Sequence, residues 1–265
     1  MIVVGLLAAV AASLGTLATP QETRAASIKV VVVVGPAGSS TAKYRESARV
    51  YASIARSYGA SVTEIYSPYA TWTRVRAAAQ GANLFIYLGH GNGYPSPYGS
   101  FQKYTKDGIG LNATSGNGNS NVKYWGEYYV DRYIQMAPNA VVILNRLCYA
   151  SGNSEWGSAN PTKATAIKRV DNYGAGFLRT GARVVFAEAV NSVSHQVRSL
   201  FTTNDSMDTI LMTHPSASSA RDFGFTSSRT YWAKAHLDPP QAGKYWRAAI
   251  GNLSLTAAQW RGAGG

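Results

Sequence analysis

Cysteine is nearly absent: Cys148 is the only one in 265 residues. That excludes an internal disulfide and a cysteine-based zinc cluster, each of which needs at least two thiols. The thiol is therefore buried and inert, paired with another chain, or reactive. Charge is also scarce, at 14% of residues, and the shortage is mainly acidic, with 13 Asp+Glu against 25 Lys+Arg and a formal net charge of +12. No block of five or more Lys/Arg occurs. The sequence thus reads as a generally basic surface, drawn equally to nucleic acid, anionic lipid and acidic cell-wall polymers, with no dedicated polyanion tract. The other three histidines, His195, His214 and His236, are isolated along the chain and no HExxH spacing occurs, which excludes the helix-borne zinc peptidase motif. No metal and no cofactor is expected. The stretch GPAGSSTAK (35–43) follows a strand pattern as a phosphate loop would, yet Ser40-Thr41 stand where that motif needs Gly-Lys, and Ala37 replaces the second glycine of a dinucleotide fingerprint.

Long apolar runs are confined to the amino terminus, where Ile2 to Ala18 is followed by polar residues and a small-residue step at Ala25 and Ala26. Residues 1–26 read as a secretory signal peptide, with a membrane anchor as the second reading. No Lys or Arg follows Met1, unlike the usual opening of an export signal. The 46% hydrophobic content and the length fit one large domain over 27–265.

From Ser27 the hydrophobic pattern alternates. IKVVVVVG (28–35), ASVTEIY (60–66), NLFIYLG (83–89), AVVILNR (140–146) and ARVVFAEA (182–189) read as strands. Between them, 41–58, 71–81, 127–137 and 162–180 carry helical spacing, the first with Thr41 as its N-cap candidate. Short apolar strands alternating with helices predict an α/β fold, a three-layer sandwich whose mostly parallel central sheet is covered on both sides. The interval 90–126 reads as a long loop, with its Gly, Asn and Ser-rich part at 112–121 exposed, mobile and open to nicking. A helix is expected over 192–213. The last fifty residues, aromatic and basic, suggest short strands or a hairpin appended to the sheet.

His90 and Cys148 both fall just beyond strands, and in an open α/β sheet ligands collect at the carboxyl ends of strands. Taken alone, each residue is ordinary: a thiol after an apolar strand is usually a small buried hydrophobe. Together, on strands separated by one helix of the pattern, they make a nucleophile and its base. Gly91 and Cys148 N–H groups are the oxyanion candidates. Glu188 and Asn191, at the end of the fifth strand, and Glu155, beyond the cysteine, are candidates to orient His90 or line a pocket. For Glu188 an ordinary strand-end ion pair is the competing reading.

FIYLGHGNG and VVILNRLCYASG resemble the two signature segments of the caspase-like cysteine peptidases, the clan of caspases, legumains, clostripain and gingipains. There a hydrophobic strand runs into His-Gly and a second into the catalytic cysteine, often followed shortly by glycine, as Gly152 is here. Leu147 stands where that clan usually has Ala, and Arg146 where an acidic residue is frequent. The resemblance covers roughly residues 28–190. It implies a caspase-hemoglobinase-like fold and an exported thiol protease, with Cys148 as nucleophile, His90 as general base and Gly91 N–H in the oxyanion site. Its substrate would be a protein or peptide. The alternative is a catalytically inactive relative that binds cell-wall or other anionic polymer through its basic, tyrosine-rich surface.

Overall fold

Five consecutive valines, Val30 to Val34, place β-branched side chains on both faces of one strand, a pattern stable only where helices cover both sides. The computed structural model describes Met1 and residues 27–262; the proposed signal segment lies outside the described residues apart from Met1. That strand, β1 (Lys29–Val34), is next to the edge of an eight-stranded sheet.

The chain continues through α1 (Thr41–Ser57), β2 (Ser61–Tyr66), α2 (Trp72–Ala79) and β3 (Leu84–Leu88). Next come a hairpin of β4 (Ile109–Asn112) and β5 (Val122–Trp125), then α3 (Glu127–Tyr133), β6 (Ala140–Asn145), α4 (Lys163–Leu178) and β7 (Ala182–Glu188). After α5 (Ser194–Thr202) and α6 (Met207–Met212), three short strands follow: β8 (Phe223–Thr226), β9 (Lys234–Leu237) and β10 (Arg247–Gly251). Helix α7 (Ala257–Gly262) ends the described chain. The sheet order is β2-β1-β3-β6-β7-β10-β9-β8; the first five strands run parallel and the last three join antiparallel.

Alternate side chains feed two cores. Val31, Val33, Phe85 and Val142 pack beneath α2, α3 and α4, whereas Val30, Val32, Ile86 and Ile143 pack beneath α1, α5 and α7. The result is a three-layer α/β sandwich with a mostly parallel central sheet, as the alternating pattern predicts. The tail does extend the sheet.

Four local expectations differ. The interval 90–126 is not one loop, because β4 and β5 pair across it from Ile109↔Trp125 to Asn112↔Val122. Its tip is exposed but anchored: Gly116 N–H donates to Pro68 O (2.8 Å) and Gly38 N–H to Asn119 O (2.9 Å). The helix expected to run to 137 ends at Tyr133. The one expected over 192–213 is two, since Ser206 caps a new helix by accepting Thr209 N–H (3.1 Å). Thr41 is the first residue of α1 and not its cap; its hydroxyl closes the preceding turn by accepting Ala37 N–H (2.9 Å) and donating to Gly38 O (2.8 Å).

Candidate functional site

β3 and β6 are direct parallel neighbours, with Leu88 opposite Asn145, so the segments that follow them leave the sheet side by side. Gly91 lies against the backbone of Cys148: a Cβ there would collide with the Cys148 carbonyl oxygen and stand 2.6 Å from Tyr173 Oη. Gly93 lies against the Tyr149 side chain in the same way. Glycine at these two positions is what lets the His90 and Cys148 segments touch. The Gly91 and Cys148 N–H groups make no hydrogen bond among the described residues.

Cys148 sits in a strained turn. Arg146 (φ 66°) and Tyr149 (φ 74°) are both left-handed without being glycine, each at a cost of about 1–3 kcal/mol that the surroundings must offset. The restraints are visible. Arg146 N–H donates to Glu188 O (2.8 Å), and the Arg169 guanidinium lies over the Tyr149 ring at 4.7 Å. From α4, Arg169 also donates to Asn153 O (2.7 Å), Ser154 Oγ (3.1 Å) and Gly152 O (3.3 Å) on the cysteine side, and to Pro95 O (2.7 Å) on the histidine side. One buried cation thus staples the two segments together. Lys106, equally buried, fixes the histidine segment through Asn92 Oδ1 (2.8 Å) and Ser96 Oγ (2.9 Å).

His90 is exposed, and partial desolvation lowers its pKa while the Glu155 carboxylate pulls the other way. Cys148 is half-buried. Desolvation, helped by Glu155 and opposed by Arg169, pushes its thiol up to about 11. At neutral pH thiol and imidazole are therefore both uncharged, and no hydrogen bond joins them.

The thiol opens on a cleft of about 440 Å³ whose lining includes Arg146, Glu155, Trp156, Val190 and Lys244. Glu155 accepts from Tyr98 O–H (2.7 Å) across the two segments. Of the candidate residues, Cys148 and Glu155 line this cleft and Gly91 lies against Cys148, whereas His90, next to Gly91 in the chain, does not line it. Glu188 is committed elsewhere. Its carboxylate takes Arg247 Nε (3.0 Å) and the N–H groups of Val190 and Asn191, and Asn191 Nδ2 (3.1 Å) also reaches it. Burial raises the Glu188 carboxyl to about 7 against those partners. Asn191 in turn holds β6, its carbonyl accepting from Asn145 Nδ2 (2.9 Å). Neither residue hydrogen-bonds His90.

No protein-family model and no curated protein matches this chain.

A larger open groove of about 870 Å³ is lined by β8, β9, the carboxyl end of β10 and the start of α6. It holds no thiol, and its histidine is occupied: His236 bridges Asp208 (2.6 Å) and Asp222 (3.0 Å). The cleft at Cys148 is the one lined by the thiol. His195 and His214 meet edge to face at 5.4 Å. Among the described residues no group of three His, Cys, Asp or Glu gathers as metal ligands would, and no helix is long and apolar enough to cross a membrane. Arg169 had one sequence signal, a charge on the apolar face of a helix; Lys106, in the polar stretch QKYTKDG, had none.

Proposed function

We propose that this chain is an exported cysteine peptidase, or a related acyl-transfer hydrolase, of caspase-like type, acting on protein or peptide substrates through Cys148 and His90. The observation that carries the reading is the contact of the Gly91 backbone with the Cys148 carbonyl. It brings together the two segments that carry the chain's only thiol and an exposed imidazole, at the carboxyl ends of paired parallel strands.

Cys148 Sγ attacks the substrate carbonyl carbon as its proton passes to His90, and the Gly91 and Cys148 N–H groups take up the developing oxyanion. The C–N bond then breaks, His90 returns the proton to the leaving amine, and a thioester remains. Water attacks the thioester, giving one proton to His90. The acid departs, and the proton returns to the sulfur. Because thiol and imidazole start uncharged, the proton moves only as the substrate binds and excludes water.

A second reading is favoured by the same thiol pKa. A catalytically silent relative needs no thiolate, and Lys103, Lys123 and Arg132, set over the rings of Tyr104, Trp125 and Tyr133, offer a basic aromatic face to an anionic cell-surface polymer.

Cys148→Ser decides between them. A peptidase loses turnover of a mixed peptide library, by a factor of at least a thousand, with unchanged thermal stability. A binder retains all its affinity for isolated cell wall. Iodoacetamide labelling of the wild type is slow at neutral pH and climbs with pH towards about 11. A wild type that cleaves no peptide, but binds wall material as well as the serine variant does, sinks the peptidase reading.

A further inference from the structure

Six rings form one unbroken cluster between α2, β5, α3 and the turn at 103–104. Trp72 stacks on Trp125 with ring centroids 4.9 Å apart, and Trp125 meets Tyr129 edge-on at 4.7 Å. Tyr129 leads to Tyr128 (5.4 Å) and Tyr133 (6.2 Å), and Tyr128 to Tyr104 (4.9 Å). Backbone bonds pin the turn to the start of α3, from Gly126 N–H to Tyr104 O and from Tyr128 N–H to Lys103 O, both 3.0 Å. None of these residues lines the cleft at Cys148.

Three exposed cations cap the cluster. Lys103 Nζ stands 5.3 Å from the centre of the Tyr104 ring and 5.2 Å from that of Tyr128; Arg132 Cζ stands 5.9 Å from Tyr128 and 6.0 Å from Tyr133; Lys123 Nζ stands 4.6 Å from Trp125. None has an ion-pair partner among the described residues, and the two acids of α3, Glu127 and Asp131, are taken by Arg229 and Arg179. The rings hold the cations in place, so less side-chain freedom is lost when an anion arrives.

The same contacts narrow the ligand. A nucleobase needs a bare ring face to stack on. Here Trp125 has Trp72 stacked on it and Lys123 over it, and Tyr128 carries both Lys103 and Arg132. What the face offers is charge repeated at short intervals, which a single small anion cannot meet and a polymer with regular charges can. Two of the three charges are lysines, compact point charges of the kind that bind phosphate, whereas forked recognition of carboxylates needs arginine.

We infer that this face binds a linear phosphodiester polymer without nucleobases, of the cell-wall kind. The inference deepens the polymer-binding reading and rests on it for the presence of such a polymer, and it holds whether or not Cys148 turns over a peptide.

The test uses the full chain and an immobilised glycerol phosphate polymer, with oligo(dT) and polyglutamate as comparison polymers. The wild type should bind the glycerol phosphate polymer at least tenfold more tightly than either. Combining Lys103→Gln, Lys123→Gln and Arg132→Gln should weaken that binding at least tenfold and lessen the slope of log affinity against log salt by about 2. Lys103→Arg with Lys123→Arg should keep most of the affinity. Unchanged melting and Cys148 alkylation check that the triple variant is folded; should it fail to fold, each single Gln variant should still lessen the slope by about 0.7.

Equal or tighter binding of oligo(dT) or polyglutamate overturns the inference, as does a folded triple variant that binds the glycerol phosphate polymer like the wild type. A triple variant that loses no affinity for isolated cell wall overturns it too, while leaving the polymer-binding reading in place. A wild type that binds neither wall nor polymer removes both.

Discussion

Asp107 concentrates the physics of the site's support in one side chain. It lies fully buried in a left-handed turn (φ 58°), accepts Tyr94 N–H on one oxygen (2.9 Å), and has no partner on the other. Burial, the largest cause, pushes its carboxyl from 3.8 to about 7. The native state therefore holds a proton that the unfolded chain has already released, and stability is full below about pH 4 and falls as pH climbs through about 7. The loss is on the order of 2–4 kcal/mol. Asn keeps the Tyr94 bond, tolerates the turn and does not titrate. Asp107→Asn should thus melt at nearly the same temperature from pH 4 to pH 8 as far as this group is concerned, and above wild type at pH 8. Parallel melting profiles for the two proteins would show that Asp107 does not titrate in this range.

At the scale of elements, the histidine and cysteine segments are tied together because α4 reaches both through Arg169. Arg169→Ala leaves the Gly152 and Asn153 carbonyls and Pro95 O without their donor, an expected loss of roughly 2–4 kcal/mol. Desolvation dominates the Cys148 pKa and the Arg169 charge only trims it, so loosening the turn exposes the thiol more than the lost cation disfavours the thiolate. Alkylation of Cys148 should speed up several-fold while peptide turnover drops, and Arg169→Lys should recover part of both. Unchanged melting and labelling would remove Arg169 from the site's framework. This staple also marks where sequence reasoning stopped. Four of the five parallel strands were legible because apolar residues crowd them, the edge strand β2 more weakly from Val62 and Ile65, and His90 and Cys148 were legible because each follows such a strand. The hairpin β4–β5 was not, since four-residue strands such as IGLN and VKYW carry too few alternations to stand out from a glycine-rich interval. Glu188 could be read from sequence as ion pair or site residue alike; its partner Arg247 comes from the antiparallel tail, a long-range pairing no local pattern encodes.

For the whole molecule, that pairing is the seam. Arg247, 1% exposed, bonds Glu188 at the end of β7 (3.0 Å), Asp238 just after β9 (2.7 Å) and the Leu211 carbonyl of α6. Asp238 also accepts the N–H groups of Ser218 and Ser219 (both 3.0 Å). The parallel and antiparallel parts of the sheet thus share a single buried charge network. Arg247→Leu should cost about 3–5 kcal/mol by chemical denaturation, because two carboxylates are left buried without their counter-ion. Adding Glu188→Gln and Asp238→Asn should recover much of it. A single-variant loss below about 1 kcal/mol would mean that the network contributes little beyond apolar packing. The interlock of Gly91 and Gly93 with Cys148 and Tyr149 has a consequence for how the chain can vary in length. The histidine and cysteine segments are far apart in sequence, but nearly everything between them is bonded to the sheet, to α4 or to the other segment. The longest exposed runs between them are 97–104 and 113–118, each tied to the body at a few points, as at Tyr98 and Gly116. Extra residues, a tag or an entire inserted module therefore have two points of entry between the pair, and at either one the spacing of histidine and thiol in the fold stays as it is.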